Sequence, residues 1–292
     1  MRTLIAGCGY VGLELGRQLM QQGHKVWGLC RTDNTAAILS AAGLLPLAAD
    51  ITRPETLAAI APEFDWVVFC ASATGGGLKE YRDIYVDGLR NLLAWLAAAP
   101  PQRFVYTGST GVYGQTDGSA VDETSPTEPA EETAQILLEA ERVLLTSARE
   151  RHFPAVVLRL AGIYGPGRGH WLRQYLKGDA RLEGRGDRVL NMVHRDDVAG
   201  AVIAALQSGR PGEIYNVVDN EPVSQLVLFQ WLSATTGRPL PAVAVQAEPA
   251  SRKRGTTSKQ VSNGKLRREL HYEFKHPTFR EGFLSELQGS LP

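Results

Sequence analysis

Apolar and polar positions follow two different periods along the first 162 residues. Short runs such as "RTLIAG" and "FDWVVFCAS" are apolar at consecutive positions, which indicates strands buried on both faces. Between these runs, segments such as residues 10–22 carry apolar residues at helical spacing. The alternation predicts an α/β protein whose parallel sheet is covered by helices on both sides, with right-handed crossovers.

The predicted strands come at regular intervals. They are "RTLIAG", "HKVWGLCR", "LLPLAAD", "FDWVVFCAS", "RFVYTGS" and "PAVVLRLAG", with a helix predicted in each gap. After residue 162 the pattern loosens into glycine-rich loops, the helices "DDVAGAVIAALQSG" and "VSQLVLFQWLSATTG", and the strand "EIYNVVD". We therefore predict a doubly wound Rossmann domain over residues 1–165, with returning segments at about 189–220. Residues 166–188 and 221–292 are predicted to form a smaller substrate lobe.

Composition excludes several classes of protein. Lys plus Arg and Asp plus Glu both number 31, so no net charge attracts nucleic acid or anionic membranes. No run of about 18 apolar residues predicts a membrane span, and the first residues lack a signal-peptide pattern. The three cysteines, Cys8, Cys30 and Cys70, are far apart, which favours buried thiols over disulfides or a metal site. We expect a cytoplasmic monomer or homodimer that binds a small molecule and neither nucleic acid nor membrane.

The loop after the first strand carries the chain's clearest motif. It reads GxGxxG between a predicted strand and a predicted helix. In such a loop the first glycine permits a tight turn, the second lets a pyrophosphate approach, and the third lets helix and strand pack closely. Free N–H groups at the helix start then face the phosphates. The motif predicts dinucleotide binding through Gly7, Gly9, Tyr10, Val11 and Gly12. The alternative is a tight turn that binds nothing.

The end of the second strand should select the dinucleotide. Arg31 and Thr32 stand there instead of the acid that would bond the ribose hydroxyls of NAD. A guanidinium can hold a 2′-phosphate by charge-assisted bonds, so the sequence favours NADP. The nearby Asp33 keeps NAD open. Asp50, at the end of the third strand, either accepts a bond from the adenine amine or caps the following helix.

Together these segments resemble the extended short-chain dehydrogenase/reductases, the NAD-dependent epimerase/dehydratase group. The matching stretches are "IAGCGYVG", "FCASAT", "FVYTGSTGVYG", "VLRLAGIYGPG", "NMVHRDDVAGAVIAAL" and "GEIYNVVDNEPVS", in the family's order over residues 1 to about 225. The resemblance implies a Rossmann sheet with a smaller C-terminal lobe, and a sugar-like or carbonyl substrate. It also adds Ala71 and Ser72, in "FCASAT", to the expected cofactor contacts.

The resemblance further implies where catalysis should occur. In the family, a serine or threonine after the fifth strand bonds the substrate oxygen, and this position matches Ser109, with Thr110 beside it. A tyrosine and, four residues later, a lysine then follow on the next helix as the general acid/base and its partner. Alignment of that helix on "LLEAERVLL" places Thr133 at the tyrosine position and Leu137 at the lysine position.

This helix is therefore an atypical one for the family. No tyrosine occurs between Tyr113 and Tyr164, and no lysine between Lys79 and Lys177, so a shifted alignment does not restore the pair. A threonine hydroxyl titrates far above neutral pH and cannot replace the tyrosine as a base. Tyr113, close to Ser109, is a candidate substitute, with packing beside the substrate as the alternative. Three hypotheses about the function stay open. The protein is an NADP-dependent oxidoreductase with non-standard acid/base residues, or a dinucleotide-binding sensor or scaffold without hydride chemistry. The third hypothesis is another chemistry, such as isomerisation.

The C-terminal third supplies candidate substrate contacts. Tyr164, Arg168, His170 and Arg185 lie in or beside its glycine-rich loops. Further basic residues in this region are Arg173, Arg181, Arg188, Arg252, Lys253, Arg254 and Lys259. Arginine forms a rigid fork that suits phosphate, so these residues could bind an anionic or nucleotide-linked substrate. The alternative is a solvated basic surface.

Overall fold

The computed structural model describes residues 1–73, 75, 77–244 and 257–288. The strands are β1 (Arg2–Ala6), β2 (Lys25–Cys30), β3 (Leu45–Ala48), β4 (Trp66–Phe69), β5 (Arg103–Ser109), β6 (Ala120–Val121), β7 (Ala155–Leu160), β8 (Gly162–Tyr164), β9 (Val189–Leu190), β10 (Met192–His194), β11 (Ile214–Val217), β12 (Val223–Ser224) and β13 (Gln260–Val261).

The α-helices are α1 (Tyr10–Gln21), α2 (Asp33–Ala41), α3 (Pro54–Ala58), α4 (Gly77–Arg82), α5 (Leu89–Leu96), α6 (Glu132–Arg151), α7 (His170–Lys177), α8 (Arg195–Ser208), α9 (Gln225–Thr236), α10 (Gly264–Leu270) and α11 (Phe279–Gln288). A π-helical segment, Asp83–Gly88, joins α4 to α5, and a 3₁₀ turn, Thr110–Val112, follows β5. No helix in the described ranges is long and apolar enough to cross a bilayer.

A seven-stranded sheet organises the molecule, in the order β11-β7-β5-β4-β1-β2-β3. All of its strand pairs are parallel, with Thr3 opposite Val26 on one side of β1 and opposite Trp66 on the other. Consecutive apolar residues are buried along its central strands because helices cover both faces. The prediction of a doubly wound Rossmann sheet is confirmed.

Two buried apolar clusters occupy the two faces of this sheet. One contains Leu15, Val105 and Val202, and the other contains Leu57, Phe104 and Leu144. A third cluster lies among α7, α9 and α11, and its largest members are Tyr164, Tyr175, Phe229, Phe279 and Phe283. This third core gives the C-terminal elements an interior of their own. The boundaries of the two predicted domains remain a prediction.

The structure differs from the predicted pattern in the helix after β4. The sequence predicts one regular helix from residue 78 to 99, whereas the chain forms α4, a π-helical segment and α5 in succession. At the end of the π-helical segment, the Cβ of any residue other than glycine at Gly88 would lie 2.9 Å from the Ile51 side chain. Glycine there permits close packing of the helix against the segment that follows β3.

Candidate functional site

The glycine loop between β1 and α1 places two of its glycines where side chains would collide with the backbone. Gly7 has φ of 105°, and a Cβ on it would lie 2.2 Å from the backbone nitrogen of Ala71, which follows β4. A Cβ on Gly12 would lie 2.3 Å from the Gly7 carbonyl oxygen. The loop is thereby pressed between α1 and the β4 loop, as a tight strand-to-helix turn requires.

The N-terminus of α1 is open towards this loop. Gly9 is the N-cap residue, and no side chain accepts a hydrogen bond from the first N–H groups of the helix. No atom of the described residues lies within 4 Å of the Cβ position of Gly9. Uncapped N–H groups at a helix start attract anions, and the missing side chain leaves room for a phosphate to approach.

The loop lies at a reversal in the strand order. β1 is bordered by β2 on one side and by β4 on the other, so β2 and β3 extend the sheet in one direction from β1 while β4 and β5 extend it in the other. Parallel sheets bind ligands in the crevice at such a position. Residues after β1, β2 and β4 therefore border one crevice, which brings Gly7, Arg31 and Ala71 to the same edge of the sheet.

Residues after β2 and β3 are placed as follows. Arg31 is exposed directly after β2, and Thr32 is the N-cap of α2, where its Oγ1 accepts a bond from Thr35 N at 3.3 Å. Asp50 Oδ1 accepts bonds from Thr52 N at 2.9 Å and Thr52 Oγ1 at 2.8 Å, in the turn before α3. Asp50 thus orders its own turn, and its contact with an adenine stays a prediction, as does the contact of Ser72, which is exposed.

The three cysteines lie beside the glycine loop as free thiols. The Sγ of Cys70 donates a hydrogen bond to the Gly7 carbonyl at 3.0 Å. Burial raises the pKa of the Cys8 thiol to about 12, with a smaller contribution from Cys30. A thiol with so high a pKa is a poor nucleophile, so these cysteines act as small packing groups.

Tyr10 closes one side of the glycine loop. The guanidinium of Arg168 lies 5.1 Å from the centre of its ring, and that of Arg195 lies 5.2 Å away. Both distances are within the range of cation–π attraction. Arg168 is exposed, whereas Arg195 also forms an ion pair with Asp196 at 2.9 Å. The predicted substrate contact Arg168 is thus placed next to the predicted cofactor contact Tyr10.

The segment after β5 holds the predicted catalytic residues. Ser109 ends the strand half-buried, and its Oγ accepts a bond from Gly111 N at 3.0 Å. Because Oγ accepts this bond, its own proton is available for donation to a substrate oxygen. Thr110 is buried, and its hydroxyl donates to the Leu160 carbonyl at 3.3 Å. Ser109 therefore presents a usable hydroxyl, while that of Thr110 is turned into the protein.

Tyr113 is fully buried, with 0% of its surface exposed. Its hydroxyl donates to Asn216 Oδ1 at 2.9 Å and accepts from Arg159 Nη1 at 2.8 Å. Burial raises the pKa of this tyrosine, although the Arg159 charge opposes the rise. The single proton of this hydroxyl is already donated to Asn216, so it is not available to a substrate. We therefore do not retain Tyr113 as the acid/base candidate, and packing is the role its contacts support.

The network beneath Tyr113 contains a buried ion pair that the sequence analysis missed. Arg159, on β7, donates to both carboxylate oxygens of Glu141, on α6, with Nη2 to Oε2 at 2.8 Å and Nε to Oε1 at 3.2 Å. Side-chain exposure is 4% for Arg159 and 1% for Glu141. The pair fastens α6 to the sheet below Ser109.

The alignment of α6 with the catalytic helix of the family, through Thr133 and Leu137, stays a prediction. Thr133 lies half-buried in the first turn of α6, and Leu137 packs, partly buried, against a cluster that includes Val112 and Leu138. The Leu137 side chain is thus part of the apolar core. If the alignment holds, the acid/base group of the site belongs to another element or is absent.

The predicted substrate contacts of the C-terminal third are dispersed. Tyr164 is buried at 3% exposure and packs edge-on against Phe283 at 4.7 Å, so it belongs to the third apolar cluster. His170 is exposed at the start of α7, and its ring meets Trp171 at 4.9 Å. Arg185 is exposed in the following loop. The structure therefore keeps His170 and Arg185 accessible and removes Tyr164 from the surface.

The predicted basic cluster is only partly described. Arg252, Lys253 and Arg254 lie outside the described residues. Arg188 pairs with Glu183 at 3.3 Å and Arg181 donates to the Gly178 and Ala180 carbonyls, so both guanidiniums have partners in the protein. Lys259 is buried at 4% exposure. The described members do not form one basic surface.

A cleft of about 420 Å³ opens between the loop after Tyr113 and the C-terminal segment. Its lining residues are Thr116, Asp117, Gly118, Glu183, Asp187, Arg188 and Ser258. The volume is in the range of small-molecule sites. Acidic and basic groups share the lining, which suits a polar ligand with hydroxyl groups as well as an anion.

A second polar cluster joins α8 to the C-terminal segment. Ligand-capable atoms of His194, Asp197 and His276 lie within 4.8 Å of one another. Asp197 accepts bonds from Tyr272 Oη at 3.0 Å and from His276 N at 3.0 Å, and its Oδ2 lies 3.1 Å from His276 Nδ1. Because the carboxylate already has these partners, we interpret the cluster as a set of hydrogen bonds that holds the segment after α10 against α8.

His194 should make the protein sensitive to mild acid. Burial lowers its pKa from 6.5 to about 4, and the adjacent His276 contributes. Between these two values the unfolded histidine binds a proton and the folded one does not. The free energy of unfolding should therefore fall by about 3 kcal/mol as the pH drops through this window.

Urea unfolding at several pH values measures this effect. His194→Asn, whose amide oxygen can still accept from Asp196 N, should flatten the dependence, and the exposed His152→Asn should leave it unchanged. An equally steep dependence in His194→Asn would show that another group is responsible.

The fold and loop define a class of protein: an α/β chain built to bind a dinucleotide at the carboxyl edge of a parallel sheet. Comparison with known proteins gives the family. The model of the NAD dependent epimerase/dehydratase family matches residues 3–217. The chain belongs to this family.

Relatives extend the match over nearly the whole chain. Protein YeeZ of Escherichia coli is 25% identical over 94% of this chain and 96% of its own length. The structure of a putative NAD-dependent epimerase/dehydratase of Methylobacillus flagellatus is 34% identical and covers 99% of this chain and 98% of its own, with a TM-score of 0.75. A dTDP-glucose 4,6-dehydratase of Streptomyces venezuelae, solved with NAD, has a TM-score of 0.83 over 99% of this chain and 96% of its own, at 23% identity. This last likeness is one of fold.

Proposed function

We propose that this protein is a nicotinamide-dinucleotide-dependent oxidoreductase that prefers NADP, acts on a sugar-like or carbonyl substrate and uses non-standard acid/base residues. The observation that carries the proposal is the glycine loop. Gly7 touches the backbone of Ala71, α1 starts without a side-chain cap, and the space at Gly9 is empty. A loop that binds nothing would gain nothing from an uncapped helix start, which costs free energy.

The preference for NADP rests on Arg31. Its guanidinium is exposed immediately after β2, where the adenosine ribose of a bound dinucleotide lies in Rossmann folds. A 2′-phosphate there would accept charge-assisted bonds from Arg31 and from the hydroxyl of Thr32. Asp33, in the first turn of α2, lies at the helix end that favours a negative charge, so its carboxylate has a local role of its own.

On the substrate side, Ser109 supports oxygen recognition. Its Oγ has accepted one bond and keeps its proton for donation. When bound, the nicotinamide supplies the hydride chemistry, and this chain's residues hold the substrate oxygen and exclude water. Arg168, His170 and Arg185 are exposed in the C-terminal third and would contact an anionic or nucleotide-linked part of the substrate.

A second function is favoured by α6. Threonine and leucine stand at positions 133 and 137, and Tyr113 is buried in an internal network. A chain that keeps the cofactor loop and lacks these groups could act as a dinucleotide-binding sensor or scaffold. Reversible change of the near-ultraviolet absorbance of the nicotinamide with any carbonyl or alcohol substrate would rule out this second function.

Binding of NADPH and NADH to the purified protein tests the cofactor proposal. We expect NADPH to bind more tightly, and Arg31→Ala to weaken NADPH by about 10- to 100-fold while NADH is little changed, since charged hydrogen bonds contribute about 1.5–3 kcal/mol. Arg149→Ala, at an exposed arginine on the last turn of α6, is the control and should change neither affinity. NADH binding that equals or exceeds NADPH binding would overturn the preference.

A further inference from the structure

Lys259 is the one described lysine whose side chain is buried, at 4% exposure. It lies directly before β13, whose parallel pairing with β6 joins Gln260 to Ala120. Asn191 reinforces this position by donating from Nδ2 to the Lys259 carbonyl at 2.9 Å. The backbone of Lys259 is therefore fixed, and its side chain enters the protein from the C-terminal segment. Burying an ammonium is costly, so a buried lysine that has no carboxylate partner among the described residues needs a reason.

The amine of Lys259 reaches the loop that begins at Ser109. Its Nζ donates to the Tyr113 carbonyl at 2.6 Å and to Thr257 Oγ1 at 3.1 Å. An ammonium has three N–H groups, and the described residues provide these two acceptors. The remaining N–H, or the lone pair of the neutral amine, is available to a ligand. Ser258, next in the chain, lines the cleft of about 420 Å³.

The charges around Lys259 leave the amine easy to deprotonate. The pKa of the amine is lowered from 10.5 to about 8, mainly by burial, while Glu131 opposes the change and Arg188 adds to it. The other charged groups of the cleft are Asp117, Glu183 and Asp187. A group that titrates near neutral pH is suited to proton transfer, and lysine reaches that range by burial.

Glu131, one of the charges that act on Lys259, belongs to the start of α6, the helix in which the sequence predicts no catalytic tyrosine or lysine. It is the N-cap residue of α6 and stands two positions before Thr133. The Glu131 carboxylate is one of the charges that act on the Lys259 amine, and it opposes the fall in the pKa of that amine. The amine thus contacts the backbone of the loop that begins at Ser109, and the N-cap residue of α6 is among the charges that act on it.

We propose that Lys259, buried between the loop after Ser109 and the C-terminal segment, is the acid/base residue of the substrate site. The inference rests on the proposed oxidoreductase function. In the reducing direction a hydride from the reduced dinucleotide enters the carbonyl carbon, and the Lys259 ammonium gives its proton to the carbonyl oxygen, which becomes a hydroxyl. The neutral amine then takes a proton from water. In the oxidising direction the neutral amine would remove the hydroxyl proton while the carbinol carbon gave its hydride to the oxidised dinucleotide.

Nuclear magnetic resonance of the protein labelled with ¹³C at lysine Cε tests this assignment without a substrate. The chain has seven lysines, and Lys259→Arg identifies the Lys259 signal by its loss. We expect this signal to titrate near pH 8 in the free protein. The midpoint should be lower with bound NADP⁺ than with bound NADPH by about half a pH unit or more, because only the oxidised ring carries a positive charge that disfavours a nearby ammonium.

The signal of Lys265, whose Nζ pairs with Glu213 at 2.6 Å, is the internal control and should not distinguish the two forms. If the dinucleotides bind but the Lys259 midpoint is the same with both, or if Lys259 titrates at pH 10 or above, Lys259 is a structural staple and the assignment is wrong. If neither dinucleotide binds, the proposed function fails first and the assignment falls with it.

Discussion

Glu141→Ala should lower the free energy of unfolding by about 3–5 kcal/mol, because it leaves Arg159 as an uncompensated charge in the interior. Exposure of the whole residues is 0% for Glu141 and 3% for Arg159. Both carboxylate oxygens are bonded to the guanidinium, which also donates to the Tyr113 hydroxyl. Loss of the carboxylate therefore disturbs α6, β7 and the loop after Ser109 together. Urea unfolding followed by circular dichroism measures the effect.

A neighbouring glutamate on the same helix provides the control. Glu139 pairs with Arg82 at 3.0 Å and Arg90 at 3.6 Å, but its side chain is 35% exposed. Glu139→Ala should cost less than about 1 kcal/mol, as solvated ion pairs do. Replacing both buried partners, as Glu141→Leu with Arg159→Met, should recover most of the loss, since an apolar pair leaves no buried charge. Equal losses for Glu141→Ala and Glu139→Ala would contradict the role of burial.

This ion pair also shows why part of the site escaped sequence analysis. A glutamate in an amphipathic helix is normally solvated, and an arginine within the apolar run "AVVLRL" gives no indication of its partner. Their pairing depends on how α6 lies across β5 and β7, which helical period alone does not determine. A charged residue at a position that the period assigns to the core was the available signal.

The Rossmann sheet was predictable because its strands are apolar at every position and its helices are amphipathic. The six predicted strands of residues 1–162 correspond to β1–β5 and β7, and "EIYNVVD" returns to the sheet as β11. The remaining strands, such as β10 and β13, have only two or three residues each and arise from tertiary contacts. Too few positions are involved for a period to appear.

The same limit explains why the sequence does not predict the burial of Lys259. In the sequence it stands near other basic residues, so charge clustering suggested an exposed anion site. Its burial follows from the pairing of β13 with β6, two segments about 140 residues apart. Tyr164 shows the reverse case, because its loop context suggested a surface position, whereas packing of α11 encloses it: a Cβ on Gly282 would lie 2.1 Å from its hydroxyl.

Two alanine substitutions in the glycine loop should separate folding from dinucleotide binding. Gly7→Ala should affect both, and Gly9→Ala should affect mainly binding. Gly7→Ala places a methyl group 2.2 Å from the Ala71 backbone at a φ of 105°, so both the contact and the backbone are strained. We expect a loss of roughly 2–5 kcal/mol in the free energy of unfolding, together with loss of binding.

Gly9→Ala should behave differently, because in the described part of the chain no atom lies within 4 Å of the new methyl group. The free energy of unfolding should stay within about 1 kcal/mol of the original value. Affinity for NADPH should nevertheless fall by about 100-fold or more, because the methyl group occupies the space into which the pyrophosphate must move. Thermal unfolding and a fluorescence titration with NADPH measure the two quantities. A stable Gly9→Ala protein that binds NADPH at full affinity would mean that the dinucleotide does not approach this loop, and the cofactor site would have to be sought elsewhere.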